Sequence, residues 1–216
     1  MQKWFLAIAI ITNAKKSISS PQLARDLDLT QQTALYLQQR IRAEMAKPNG
    51  DPLLSGIVEA DESYVGGRHR RDPERKRGRG TTKVPVLGAV ERNGNVRAQV
   101  ADNVSGKELV RFLEANVDPA DSLLITDEFP AYRAIDKMMR RASINHSLGQ
   151  YSDGGIVHTN TIEGFWSLLK RAWYGTHHHY RRKFMPLYVA EQTWKYNHRR
   201  DLNPFGSFLS QMLAPT

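Results

Sequence analysis

Apolar positions recur at helical spacing over the first part of the chain and give way to strand-like runs near residue 56. Trp4, Ile8 and Ile11 fall on one face of a first predicted helix. Leu23 and Leu27 fall on the inner face of a second, opened by Ser20 as N-cap and Pro21 at its first position. A third runs from about Thr30 to Met45 and carries Thr33, Leu35, Leu37 and Ile41. Asp28-Leu29 leaves only a tight connection between the second and third helices. That is the arrangement of a helix-turn-helix, with Gln31, Gln32 and Thr33 opening the recognition helix. Any small three-helix cap gives the same pattern, so DNA contact by this region needs support from the charge of the chain. Pro48, Asn49, Gly50 and Pro52 then break the helical period and mark a linker.

Beyond the linker the pattern predicts strands over Ile57–Val65, Val84–Glu91 and Val96–Ala101. The last two are joined by Asn93-Gly94, a strong short-range hairpin signal. A helix from an N-cap at Ser105 runs through Leu109, Phe112 and Leu113 to about Asn116, and the apolar run Ser122–Asp127 predicts a further strand. A helical stretch around Tyr132 to Met139, a short strand near Ile144, a long helix after Gly154-Gly155 and a last helix over roughly Met185 to His198 complete the order. Strands and helices in the order β-β-β-α-β-α-β-α make a ribonuclease H-like domain, an α/β fold with a mixed sheet and flanking helices, here preceded by a small all-α domain. The expected division is a helix-turn-helix DNA-binding domain over 1–47, a linker over 48–56, and the α/β domain over 57–200 with a basic insertion at 68–80. Residues 201–216 are left as a C-terminal tail.

Charge changes this picture by naming a class of partner. The chain has 216 residues, a formal net charge of +9 and 40% hydrophobic residues, enough for a real core. Its pI near 9.8 favours a polyanion, because neutralising phosphates releases counterions whatever the base sequence. The segment from Arg68 to Gly80 concentrates seven Lys or Arg against two acids and has no apolar residue with which to pack. It reads either as a solvated loop or as a phosphate-gripping arm made of Arg68, Arg70, Arg71, Arg75, Lys76, Arg77 and Arg79. No run approaches the roughly 18 to 20 apolar residues needed to span a bilayer, so no membrane partner is expected. The absence of cysteine excludes disulfides and thiolate zinc sites and fits a cytoplasmic protein.

Three acids take the positions this order of elements favours. Asp61 lies on the first strand, Asp127 ends the fourth, and Glu163 lies on the long helix, with thirty-five residues between it and Asp127. Such a trio suits Mg²⁺, which prefers hard oxygen ligands and retains several waters, and two such ions serve phosphoryl transfer on DNA. Glu59 shares the face of Asp61 as an accessory or a mistaken first ligand. Asp127 precedes Glu-Phe-Pro and is also a candidate helix cap. Asn160 stands three residues before Glu163, as an alternative third ligand or a cap. His158 is a candidate for a phosphate or an attacking water, Lys170 and Arg171 for the DNA backbone, while Trp166 and Leu169 read as packing. A tyrosine nuclease is disfavoured, because the cluster His177-His178-His179 before Tyr180 lacks the apolar residue between paired histidines.

Several blocks together resemble bacterial insertion-sequence transposases of the DDE class, in the group related to eukaryotic Merlin elements. They are Glu59-Ala-Asp-Glu-Ser-Tyr-Val-Gly-Gly67, Ile125-Thr-Asp-Glu-Phe-Pro-Ala-Tyr132, Asn145-His-Ser147, His158 through Arg171, and Tyr196-Asn-His-Arg199. The resemblance covers roughly residues 55 to 200. It implies DNA transposition with Asp61, Asp127 and Glu163 as the catalytic, metal-binding triad, two Mg²⁺ ions for which Mn²⁺ can substitute, and double-stranded DNA as partner. That DNA would be the terminal inverted repeats of the element and the target, with a homo-oligomer assembled on it in the bacterial cytoplasm at the nucleoid. Members of the family usually begin with a cysteine-rich zinc ribbon, which this sequence lacks, so a shortened copy is expected. The alternative expectation is a catalytically inactive, transposase-derived DNA-binding regulator or inhibitor.

Overall fold

The computed structural model describes residues 2–48, 50–66, 83–144, 158–177 and 181–214. The basic segment 68–80, the Asn145–Ser147 motif and His178–Tyr180 lie outside the described residues. The chain divides into two compact units. One comprises Pro52–Ser167, and the other joins Met1–Asp51 to Leu168–Thr216.

The first unit is built on five strands, β1 (Leu54–Val65), β2 (Val84–Glu91), β3 (Val96–Val100), β4 (Val117–Asp127) and β5 (Arg140–Ile144), in the sheet order β3-β2-β1-β4-β5. β1 pairs antiparallel with β2 and parallel with β4; β2–β3 is antiparallel and β4–β5 parallel. This is the ribonuclease H-like arrangement, with β1 at the centre. Asn93 adopts φ 63° in the β2–β3 turn, where the Gly94 N–H donates to the Glu91 carbonyl at 3.0 Å. Near the start of β1 the register with β4 shifts between Leu54 and Gly56. Gly56 sits there at φ 71°, a conformation that favours glycine.

One face of the sheet presents Val58, Ala60, Leu87, Ala89 and Leu124 to α4 (Gly106–Glu114), capped by Ser105, and to the 3₁₀ helix Pro130–Ile135. That 3₁₀ turn replaces the longer helix expected over 132–139. α5 (Asn160–Ala172) covers the opposite face, burying Ile162, Phe165 and Trp166. β2 is buried along all but its last residue, because both its faces are covered.

The helical unit contains α1 (Gln2–Asn13), α2 (Ser20–Leu27) and α3 (Gln31–Met45), together with α6 (Met185–Asn197) and α7 (Pro204–Leu213). Ser19, one residue before the expected cap, accepts from the Gln22 N–H, and Asp28 closes α2 in the left-handed conformation at φ 49°. Thr30 caps α3 through the Thr33 N–H. The inner face of α1 is Ala7, Ile8 and Ile11, whereas Trp4 stays 36% exposed. Residues 201–216 are not a plain tail. α7 buries Phe208 completely, in one core with α1, α2, α3 and Trp194 of α6. The C-terminal helices thus add apolar surface to the small core of the first three.

A buried charge cluster joins α3 to α6. Arg42 Nε lies 2.6 Å from Glu191 Oε2 and Lys195 Nζ lies 2.6 Å from Glu191 Oε1, with Arg42 and Glu191 wholly inaccessible. Burial alone would push the Glu191 carboxyl up, but Lys195 and Arg42 outweigh it and hold the group well below its ordinary range. Lys195 shares one carboxylate with Arg42, and burial dominates there, lowering its pKa. The two directions agree physically, since two cations divide a single anion.

Candidate active site

The parallel pairing of β1 with β4 ends at Glu59 opposite Ile125, and two residues beyond it on each strand stand Asp61 and Asp127, near enough for the Asp127 charge to act on Asp61. Both are then on the α5 face, with Asp127 at the carboxyl end of β4 and Asp61 within β1, four residues before the end of that strand. In open α/β sheets this end of the strands is where ligands bind. Asp61 is mostly buried, and its carboxyl pKa is pushed up to about 7 by burial first, then by Glu62 and Asp127, against hydrogen bonds from the Glu62 backbone and from Trp166. Asp127 is half-buried, and its Oδ1 accepts the Phe129 N–H at 3.0 Å. It therefore braces the turn into the 3₁₀ helix without capping it directly, since Phe129 is the N-cap there and makes no side-chain cap bond.

On the other face Tyr132, 1% exposed, donates from its hydroxyl to Glu62 Oε2 at 3.4 Å. Burial, and then Glu62, Asp61 and Asp127, push its phenol well above the ordinary value, so it is a neutral donor beside a group of acids.

Glu59 is fully buried and engaged at the start of α5. Its Oε2 accepts the backbone N–H groups of Thr161 at 2.8 Å and Ile162 at 3.0 Å, and its Oε1 accepts the Thr161 hydroxyl at 2.9 Å and Arg92 Nε at 2.7 Å. Arg92 Nη2 donates in turn to the His158 carbonyl at 2.8 Å, and His158 Nδ1 lies 3.3 Å from Glu59 Oε1. The first free N–H groups of α5 are thus satisfied by a carboxylate from β1, where negative charge is favoured. Asn160, exposed at the first helical position, does not supply that cap.

One turn on, Trp166 is 4% exposed, and its indole N–H donates to Asp61 Oδ2 at 2.9 Å. The ring reads as packing in the sequence, yet it also holds a candidate catalytic carboxylate. Gly88 of β2 makes room for it, since a Cβ there would lie 2.6 Å from the ring. Glu163 is exposed in the first turn of α5, on the face it shares with Trp166. Among the described residues no three His, Cys, Asp or Glu side chains stand close enough together to hold a metal ion. Asp127 is near enough to Asp61 to raise its carboxyl pKa, and Glu163 is exposed on α5.

Of the other candidates, Gln31, Gln32 and Thr33 are exposed at the start of α3, and Lys170 and Arg171 near the end of α5. The seven basic residues of 68–80 lie outside the described residues. Sequence reasoning missed Arg92 and the anchoring roles of Glu59 and Trp166. The signals available were the shared face of Glu59 and Asp61 and the three-residue spacing of Glu163 and Trp166; nothing local marked Arg92.

The family model for ISXO2-like transposase domains matches residues 53–197. No curated protein sequence matches at a significant level. Among solved structures, a chain of the simian T-cell lymphotropic virus intasome in complex with PP2A regulatory subunit B56γ is 18% identical, at a TM-score of 0.44. The match covers 83% of this chain and 65% of that one, so the protein spans about two thirds of that chain's length. A chain of the mariner Mos1 paired-end complex with Mg is 11% identical over 90% of this chain and 74% of that one, at a TM-score of 0.34. Neither superposes closely enough to assign individual residues.

Proposed function

Because the chain belongs to the ISXO2-like transposase family, we propose that it is a metal-dependent DNA transposase whose Asp61, Asp127 and Glu163 bind divalent metal and cut and join strands at insertion-sequence ends. The observation that supports this reading is the parallel pairing of β1 with β4, beyond whose last pair Asp61 and Asp127 stand near enough for one charge to act on the other.

The donor set fits the group. Asp127 acts on Asp61 among the described residues, and two such carboxylates, joined by a third from Glu163, would supply the hard oxygen ligands that suit Mg²⁺ or Mn²⁺. Glu163 is exposed and can turn toward them from the face of α5 that carries Trp166. Bound there, the metal supplies positive charge that activates a water or a DNA 3′-hydroxyl and offsets charge at the scissile phosphate. The chain itself orients Asp61 through the Trp166 N–H and keeps Tyr132 neutral as a donor to Glu62. Terminal repeats and target DNA are the substrates. The basic residues of 68–80 with Lys170 and Arg171 contact phosphates, and Gln31, Gln32 and Thr33 read the groove. His158 sits against Glu59, a position better suited to ordering the start of α5 than to touching DNA. Assembly as a homo-oligomer on paired ends belongs to the same reading.

The test is nicking and strand transfer by the full chain on duplexes carrying the element's ends, with Mg²⁺ or Mn²⁺. Asp61→Ala, Asp127→Ala and Glu163→Ala should each lower the rate by at least about 100-fold, on the order of losing one charge-stabilising group in an active site. Asn160→Ala should stay active. Binding of the ends with no cleavage under either metal would instead make the chain a DNA-binding regulator.

A further inference from the structure

Glu59 is an acid two residues from a proposed ligand, and Trp166 is a buried ring with its single polar atom aimed at that ligand. Neither is needed to fill the core. A methionine or leucine would bury as much surface as Glu59 without the cost of a buried charge, and a phenylalanine would fill most of the space of Trp166. The two side chains instead connect the same pair of elements at two separate points. Glu59 of β1 receives the N–H groups of Thr161 and Ile162, and Asp61 of β1 receives the indole N–H of Trp166.

Those two points match in length. Two residues of strand advance about 6.7 Å, and the four to five residues from Thr161 and Ile162 to Trp166 advance about 6 to 7.5 Å along a helix. α5 therefore lies along β1 with both contacts made at once. A slip of one residue would turn the helix by about 100°, carrying Trp166 off Asp61 and the free N–H groups off Glu59. Gly88 removes the remaining freedom, because the ring lies against its backbone. Arg92 balances the Glu59 charge and ties the His158 carbonyl, so the approach to α5 is held as well. Glu163 lies between the two contact points along the helix.

We propose that Glu59 and Trp166 are positioning residues, a two-point lock that fixes the register of α5 on β1 and thereby the separation of Asp61 from Glu163. The inference rests on the metal-dependent reading above. It assigns Glu59 a role outside metal binding, since both its oxygens are taken up by α5 and Arg92.

The test uses the full chain and three variants. Trp166→Phe keeps the ring and removes the N–H, Glu59→Gln keeps the shape and removes the charge, and Asp61→Asn reports on the metal-dependent reading itself. Mn²⁺ binding is followed by electron paramagnetic resonance of the free ion, beside the Mn²⁺ dependence of nicking and the Tm. Trp166→Phe and Glu59→Gln should each raise the half-saturating Mn²⁺ concentration by about 10- to 100-fold in both assays, the usual effect of losing a group that orients a ligand. Saturating Mn²⁺ should restore most of the nicking, a recovery that general unfolding would not allow. Unchanged Mn²⁺ half-saturation in Trp166→Phe, with binding lost in Asp61→Asn, overturns the lock and leaves the function standing. Parent-like binding and cleavage by Asp61→Asn overturns the function itself. Should Trp166→Phe fail to fold, the indole ¹H–¹⁵N resonances of the unaltered protein decide: one must move on Mg²⁺ addition, and none moving overturns the lock.

Discussion

Gly88 and Trp166 show how a single contact gives a residue a meaning its type does not carry. In sequence, Gly88 interrupts a run of strand-forming residues and costs some stability, while Trp166 is one more apolar position on a helix. In the fold, the missing Cβ is what lets the indole reach Asp61. Gly88→Ala would put a methyl group 2.6 Å from a rigid ring. It should destabilise the protein by about 1–3 kcal/mol, as overpacked cores do, measured by urea denaturation, and should lower nicking beyond what the stability loss explains. Glu191 carries a different expectation. Glu191→Gln leaves Arg42 and Lys195 buried without their anion and should cost about 3–5 kcal/mol. Lys195→Met should cost less, since Arg42 still pairs with Glu191. The folded Glu191 pKa lies below its ordinary 4.5, so its contribution is complete above pH 4.5 and declines as the pH falls toward the folded value. The stability gap between the unaltered protein and Glu191→Gln, followed by thermal unfolding, should therefore narrow below about pH 4.5.

At the scale of elements, most helices and strands were legible because their signals are local. Ser105 and Thr30 cap helices through N–H groups three residues on, and Asn93-Gly94 turns a hairpin. The misplacements came where local signals were shared or weak. Ser19 and Ser20 are equally good caps by type, and only backbone geometry separates them. α7 was missed because a short apolar helix near a chain end has no strong period, and its stability comes from burying Phe208 against Trp194 and α1. Phe208→Ala should cost about 3–5 kcal/mol. A chain ending at Asp201 should lose the cooperative thermal transition of its helical unit, as circular dichroism would record.

At the scale of the whole molecule, charge and topology act separately. The net charge of +9 predicts DNA affinity that falls steeply with salt. Replacing the seven basic residues of 68–80 by serine should flatten the log–log salt slope by about 0.9 for each phosphate that is no longer neutralised, as read from filter-binding titrations. The sheet order predicts nothing about affinity, but it sets where chemistry can sit. Two parallel neighbours at the centre of the sheet bring Asp61 and Asp127 together from positions far apart in sequence.

Reading along the chain is enough to reach the family and most of the succession of strands and helices, and to propose three acids for catalysis and a polyanion as partner. Those follow from periodicity, turn chemistry, composition and motif, which are written within short stretches of chain. Folding in three dimensions was needed to see that Glu59 caps α5, that Trp166 holds Asp61, that Arg92 is the counter-charge, and that the first three helices share their core with the last two. Each of these depends on residues distant in sequence meeting at close range, and no local pattern encodes which buried acid will meet which helix end. The motifs single out the three acids, while the bond from Trp166 to Asp61 exists only in the packing of α5 on β1.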